Sequence, residues 1–149
     1  MCRREERQEQ NNRSFKVGEV YLMNFGGSGS EQSGLRPGLV FQNNKGNAHS
    51  PNIIALPLTT SIKKLGQPTH VLVSAKDTGL LRDSIILCEN PERMSKERVG
   101  KFLTKLPDEY MKKVAVATLI SFGVMSLLDP EVMVRVWRET YILNATTVA

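Results

Sequence analysis

Between Val17 and Leu106 short apolar runs alternate with polar breaks; beyond Leu106 the period lengthens to that of a helix. "VGEVYLMNF" (17–25) is a β-rich run stopped by Gly26-Gly27, and "GLVFQNN" (38–44) predicts the next strand, closed by "KGN". "NIIALPLTT" (52–60) is almost continuously apolar, which predicts a well-buried strand, with Pro57 implying a bulge or an edge position. "THVLVSA" (69–75) alternates, and "DSIILCE" (83–89) is another apolar strand ended by Asn90-Pro91. "SKERVG" (95–100) suits a helical turn, and "KFLTKL" (101–106) alternates at period two.

From Asp108 to Phe122, Met111, Val114, Ala115, Thr118, Leu119 and Phe122 recur at helical spacing, with Pro107, Asp108 and Glu109 as a start signal and Gly123 as a stop. Asp129-Pro130-Glu131 opens a second helix, in which Met133, Val136, Trp137 and Tyr141 form one stripe expected to pack on the chain's own core, with extending an interface between two copies or partly covering a binding groove as the alternatives. Six short strands, tight turns and a terminal helix predict an α+β fold, mainly β: a small, strongly bent barrel with an appended second helix.

At 149 residues the chain suits one domain with one unstapled core. Residues 1–15 read as a polar tail with no apolar segment behind it, so no secretory signal is expected; "VAVATLISFGVMSLL" (114–128) is too short for the ~20 residues of a membrane span. A cytoplasmic protein is the expectation. Cys2 and Cys88 are too few for a disulfide framework, and Cys88, inside "SIILC", predicts a buried, inert thiol. A net charge of +5 permits a polyanionic partner without requiring one.

Several chemistries find no support in the sequence. The two histidines, His49 and His70, have no Cys/His partners at metal-ligand spacing, so neither a metal site nor a cofactor is expected. Gly26-Gly27-Ser28-Gly29 lacks the lysine and spacing of a P-loop, and there is no Gly-x-Ser-x-Gly elbow.

The order and spacing of several blocks carry more. "GSEQSGLRPGLVFQNNKGN" (29–47), "SPNIIALPLTTSI" (50–62), "PTHV" (68–71), "RDSIIL" (82–87) and the closing "KFLTKLPDEYMKKVAVATLISFG" together resemble the MazF/PemK family of toxin endoribonucleases. The resemblance spans about residues 16–124 and leaves 1–15 as a tail and 125–149 as an appended helix. It implies an SH3-like barrel assembled as a homodimer, the toxin of a type II toxin–antitoxin pair. It also implies metal-independent cleavage of single-stranded RNA at short sequences by 2′-hydroxyl attack. A cognate antitoxin is the implied partner, with operator DNA bound only through the antitoxin complex.

By residue match the resemblance makes Arg36 and Thr59 the catalytic pair. Pro37 restricts Arg36 to extended backbone, which suits a guanidinium gripping a phosphate through two hydrogen bonds. Alternation points Thr60 to the other face from Thr59. Ser30, Glu31 and Gln32 are candidates for contacting bases or backbone, and Lys63 and Lys64 for tracking phosphates. Glu31 and His70 have suitable proton affinity for a base, although His70 reads equally as a histidine satisfied within the barrel. Ser84 matches a family position near the site and reads equally as a turn cap. Two rivals share the architecture. One is a gyrase-poisoning toxin, a class with a Trp-Gly-Ile ending where this chain has Thr147-Val148-Ala149. The other is a non-catalytic RNA-binding barrel.

Overall fold

The computed structural model describes residues 13–26, 34–61 and 66–143. The apolar runs become strands β1 (Glu19–Asn24), β2 (Leu35–Val40), β3 (Asn52–Thr59), β4 (His70–Val73), β5 (Ser84–Leu87) and β7 (Val99–Lys105). One strand among the described residues went unpredicted: β6 (Glu92–Ser95), antiparallel to the first half of β3. Only Met94 of its four residues is buried, so it shows no apolar alternation to read. The sheet order is β4-β5-β3-β2-β1-β7, with β6 also on β3. No pairing joins β4 to β7, so the sheet curls like a barrel without closing.

Two short helices also lie where turns were expected. In α1 (Asn44–His49) the Asn43 side chain accepts from Gly46 N at 2.9 Å, and buried Asn47 donates to Gln42 O at 2.8 Å. In α2 (Ala75–Thr78) Ser74 caps the start and Gly79, at φ 77°, ends the helix in the left-handed region. Both are too short to show a helical period, so only their caps mark them. "SKERVG" contains a 3₁₀ turn, Lys96–Arg98, as predicted.

Helix α3 (Asp108–Ser121) buries Val114, Ala117 and Thr118 on one face of the sheet, against Val20, Leu39, Leu56, Leu58, Val71 and Ile86. The other face holds a second core of Phe15, Tyr21, Met23, Phe25, Val40, Ile53, Ala55, Met94 and Val99. Arg13 covers it: the guanidinium donates to Val99 O and Gly100 O, both at 2.6 Å, and lies over the Phe15 and Tyr21 rings. Lys96, almost fully buried, sets its ammonium 5.9 Å from the Phe15 centroid, and burial lowers its pKa.

The second predicted helix exists as α4 (Pro130–Trp137), continued by a π-helical turn, Arg138–Leu143. Asp129 accepts from Glu131 N at 2.9 Å and Val132 N at 3.4 Å, as its start signal required. The expected packing is absent: every residue from Asp129 to Leu143 is exposed. Local capping suffices to form the helix, while its stripe finds no surface among the described residues.

Gly38, in β2, lies beneath the second core, where a Cβ would fall 2.6 Å from Met23 Sδ and 2.9 Å from Phe25 Cζ. Gly38→Ala should therefore force those side chains apart and cost about 1–3 kcal/mol, read as a lower urea midpoint at unchanged slope. Cys88 is fully buried, and burial pushes its thiol up to about 12. Because the thiolate is the nucleophile, native Cys2→Ser protein should give no reaction with a thiol reagent at pH 8 and one equivalent after unfolding.

Candidate active site

The ladder between β2 and β3 pairs Val40 with Ala55, Leu39 with Leu56 and Gly38 with Pro57, and stops there. Beyond that point the strands part. β2 stays with β1, pairing Arg36 to Met23, and β3 joins β5, pairing Thr59 to Ile85. Continuing the register across the wedge sets Arg36 opposite Thr59. Pro57 falls between the β6 pairings of β3 (52–55) and its β5 pairings (58–59). A missing N–H is tolerated at such a change of neighbours.

Alternation fixes the faces. Arg36 follows Val40 and Gly38, while Thr59 follows Ile53, Ala55 and Pro57, so both side chains extend the second-core face. Both are half-buried. Thr59 Oγ1 accepts from Ser61 N at 3.2 Å. Pro37 and Thr60 take the opposite face, where they line a groove of about 770 Å³ with Leu22, Arg82, Ser84 and Lys101. Thr60 thus points away from Thr59, as alternation required.

The remaining candidates divide. Ser84 lines that groove but is almost fully buried, and its hydroxyl donates to Arg82 O at 3.0 Å. Asp83 accepts from Ala75 N at 2.7 Å, so the Arg82-Asp83-Ser84 run also anchors α2. His70 shares the face of Thr59 but lies two strands away, opposite Leu87, with Nε2 2.6 Å from Glu89 Oε1 and its side chain nearly buried. Ser30, Glu31, Gln32, Lys63 and Lys64 lie outside the described residues.

Three cations near this end of the sheet were not among the site candidates read from the sequence. Arg82 and Lys101 rim the groove. Arg98 rests its guanidinium on Gly26, at φ 55°, where a Cβ would fall 2.0 Å from Nη2. Gly26 reads in the sequence only as a strand stop; here it is also the seat of an arginine. Among the described residues no three His, Cys, Asp or Glu side chains are grouped to hold a metal ion. No described helix is long and apolar enough to cross a membrane.

Residues 16–122 match the model of the PemK-like, MazF-like toxins of type II toxin–antitoxin systems. The chain belongs to this family. It is 43% identical over 111 residues to the endoribonuclease EndoA of Bacillus subtilis (strain 168), covering 74% of this chain and 96% of that one. Among solved structures it is similar to a mycobacterial endoribonuclease in complex with its cognate antitoxin, at a TM-score of 0.63 and 26% identity. That alignment covers 74% of this chain and 96% of the other. MazF of Deinococcus radiodurans shares the fold, with a TM-score of 0.62 and 20% identity over 74% of this chain and 98% of that one. All three alignments leave about a quarter of this chain unmatched.

The geometry separates Ser84 from the Arg36–Thr59 pair. Ser84→Ala should lower stability by about 0.5–1.5 kcal/mol, the worth of one hydrogen bond. Thermal unfolding measures this, and Arg36→Ala, at a half-buried strand end, should shift the midpoint less.

Proposed function

We propose that this chain cuts single-stranded RNA at short sequences, without a metal, using Arg36 and Thr59 to stabilise the transition state. Family membership makes it the toxin of a toxin–antitoxin pair, and EndoA, at 43% identity, is an endoribonuclease. The observation that carries the site is the wedge between β2 and β3, which sets an arginine opposite a threonine on one face. A phosphate entering there meets a donor on each side.

The chemistry needs little else from the protein. The ribose 2′-oxygen attacks the adjacent phosphorus and the 5′-oxygen leaves, giving a 2′,3′-cyclic phosphate and a 5′-hydroxyl; overall a proton passes from the 2′-oxygen to the departing 5′-oxygen. Negative charge builds on the non-bridging oxygens. Arg36, held extended by Pro37, offers two parallel N–H donors to them. Thr59 Oγ1 accepts from Ser61 N and keeps its own proton to donate to a phosphate oxygen. Donors fixed before the reaction act where charge develops, which is the most effective electrostatic arrangement. His70, tied to Glu89 two strands away, stands outside this pair.

Base selection belongs to segments flanking the wedge. Ser30, Glu31 and Gln32 precede Arg36, and Lys63 and Lys64 follow Thr59, so each lies a few residues from the scissile phosphate. Unstacked bases read by loops are the usual basis of RNA sequence specificity. The working form is a cytoplasmic homodimer restrained by a cognate antitoxin, with operator DNA engaged only by the toxin–antitoxin complex. Antitoxin complexes of structural relatives support the partner.

Arg36→Ala and Arg36→Lys should each lose about 10²–10³ in cleavage rate, because an ammonium cannot reproduce the fork of a guanidinium. Thr59→Ala should fall similarly and Thr60→Ala should not. Sequencing fragment 5′ ends and assaying cyclic phosphate, with and without EDTA, tests the whole reading. Near wild-type cutting by Arg36→Lys, or loss of activity in EDTA, would overturn it.

A further inference from the structure

The described residues begin at Arg13, ahead of the family match at 16–122, and enter the fold on the face that carries Arg36 and Thr59. Phe15 is fully buried in the second core, its ring edge-on to Tyr21 at 5.0 Å, and Gly18 N donates to Val40 O at 2.9 Å. Residues 13–18 therefore run back along β1 on that face, from its Val99 end to its Val40 end. Arg13 fixes the start of this run, because its guanidinium donates to Val99 O and Gly100 O, both at 2.6 Å. Val99 pairs with Met23, and Met23 pairs with Arg36, so the three form one row across β7, β1 and β2. At ~4.8 Å per strand, that row sets the Val99 backbone ~10 Å from that of Arg36. Residues 1–12 thus join the fold beside the candidate site and on its face; at ~3.3 Å per extended residue they have a reach of ~40 Å.

We propose that residues 1–12 form an RNA-binding arm that lies along the substrate strand beside the cut. The chemistry of the segment fits a single strand. Nearest the anchor stand Asn12, Asn11 and Gln10, whose amides each offer donors and an acceptor to base edges. Farther out, Arg3, Arg4 and Arg7 bring guanidinium forks for phosphates. Glu5, Glu6 and Glu9 balance those arginines, so the segment has no net negative charge with which to imitate RNA and fill the site itself. Its anchor is held by packing as well as by hydrogen bonds, since the Arg13 guanidinium lies over the Phe15 and Tyr21 rings at 5.1 and 5.6 Å. The position of the cut relative to the arm rests on the active-site reading, while binding of RNA by the arm does not.

Salt titration of binding tests the arm in the full-length protein. The probe is a random-sequence strand 2′-O-methylated throughout, which lacks the attacking hydroxyl and stays intact. Arg3→Ala with Arg4→Ala and Arg7→Ala should weaken binding about tenfold, as expected for three exposed charge pairs. At ~0.7 per phosphate neutralised on a single strand, the slope of log affinity against log salt should fall by about 2.

A second measurement reads the anchor. Benzophenone attached to native Cys2 labels one site, because the buried Cys88 thiol, pushed up to about 12, does not compete. It should photo-cross-link to the strand, and Arg13→Ala, assayed below its own unfolding midpoint, should cut the yield at least fivefold. Four results would overturn the proposal: no binding of the strand by the wild type; an unchanged affinity and salt slope in the triple arginine variant; tighter binding by that variant, meaning that the arm occupies the site; and equal cross-linking with and without Arg13. Cleavage of unmodified RNA by Arg36→Ala reports separately on the active-site reading.

Discussion

Everything near the candidate site depends on how closely Met23 and Phe25 pack over a bare Gly38. Their contact holds β1 and β2 together along the second core, down to the pair Met23–Arg36. β3 has a competing neighbour in β5, which takes Leu58 and Thr59. The two packings pull the strands apart at Gly38–Pro57, where one residue has no side chain and the other has no N–H. A side chain at 38 would lift β1 from β2, and a donor at 57 would need a partner in a ladder that is changing sides. The wedge thus follows from two local deficiencies of the chain, and Arg36 and Thr59 are the first polar residues past it.

The net charge of +5 explains less than the placement of individual cations. Arg13 spends its guanidinium on two carbonyls and two aromatic rings, and Lys96 lies buried against Phe15. These are packing residues that happen to be charged: a long stem covers apolar surface while the head finds carbonyls or a ring face. Arg82 and Lys101 instead stand at a groove rim, exposed. An electrostatic case for a polyanionic partner therefore rests on the second set, and counting charges merges the two.

Continuous apolar runs, and period two in β4 and β7, made six strands legible because their side chains enter one or both of two cores. β6 stayed hidden for the converse reason: only Met94 is buried there, and its other residues serve as an edge. Both short helices were invisible to periodicity and are marked only by Asn43 and Ser74. Arg36 was legible through Pro37 and the block around it, since a proline constrains its predecessor whatever the tertiary structure. The register that brings Thr59 to it was not, because strand pairing is a long-range choice. The contact between Arg98 and Gly26 lay equally far beyond local pattern: a glycine that stops a strand and a glycine that seats an arginine read alike.

The arm marks the same boundary from the other side. Asp129 as cap, Pro130 at the first helical position and Glu131 four residues before Arg135 are local interactions. They form α4 without help from a core, which is why the helix could be predicted and its packing could not. A helix stabilised this way can be appended to a finished domain without disturbing the fold. Its apolar stripe then imposes a constraint that the described residues of the domain do not meet.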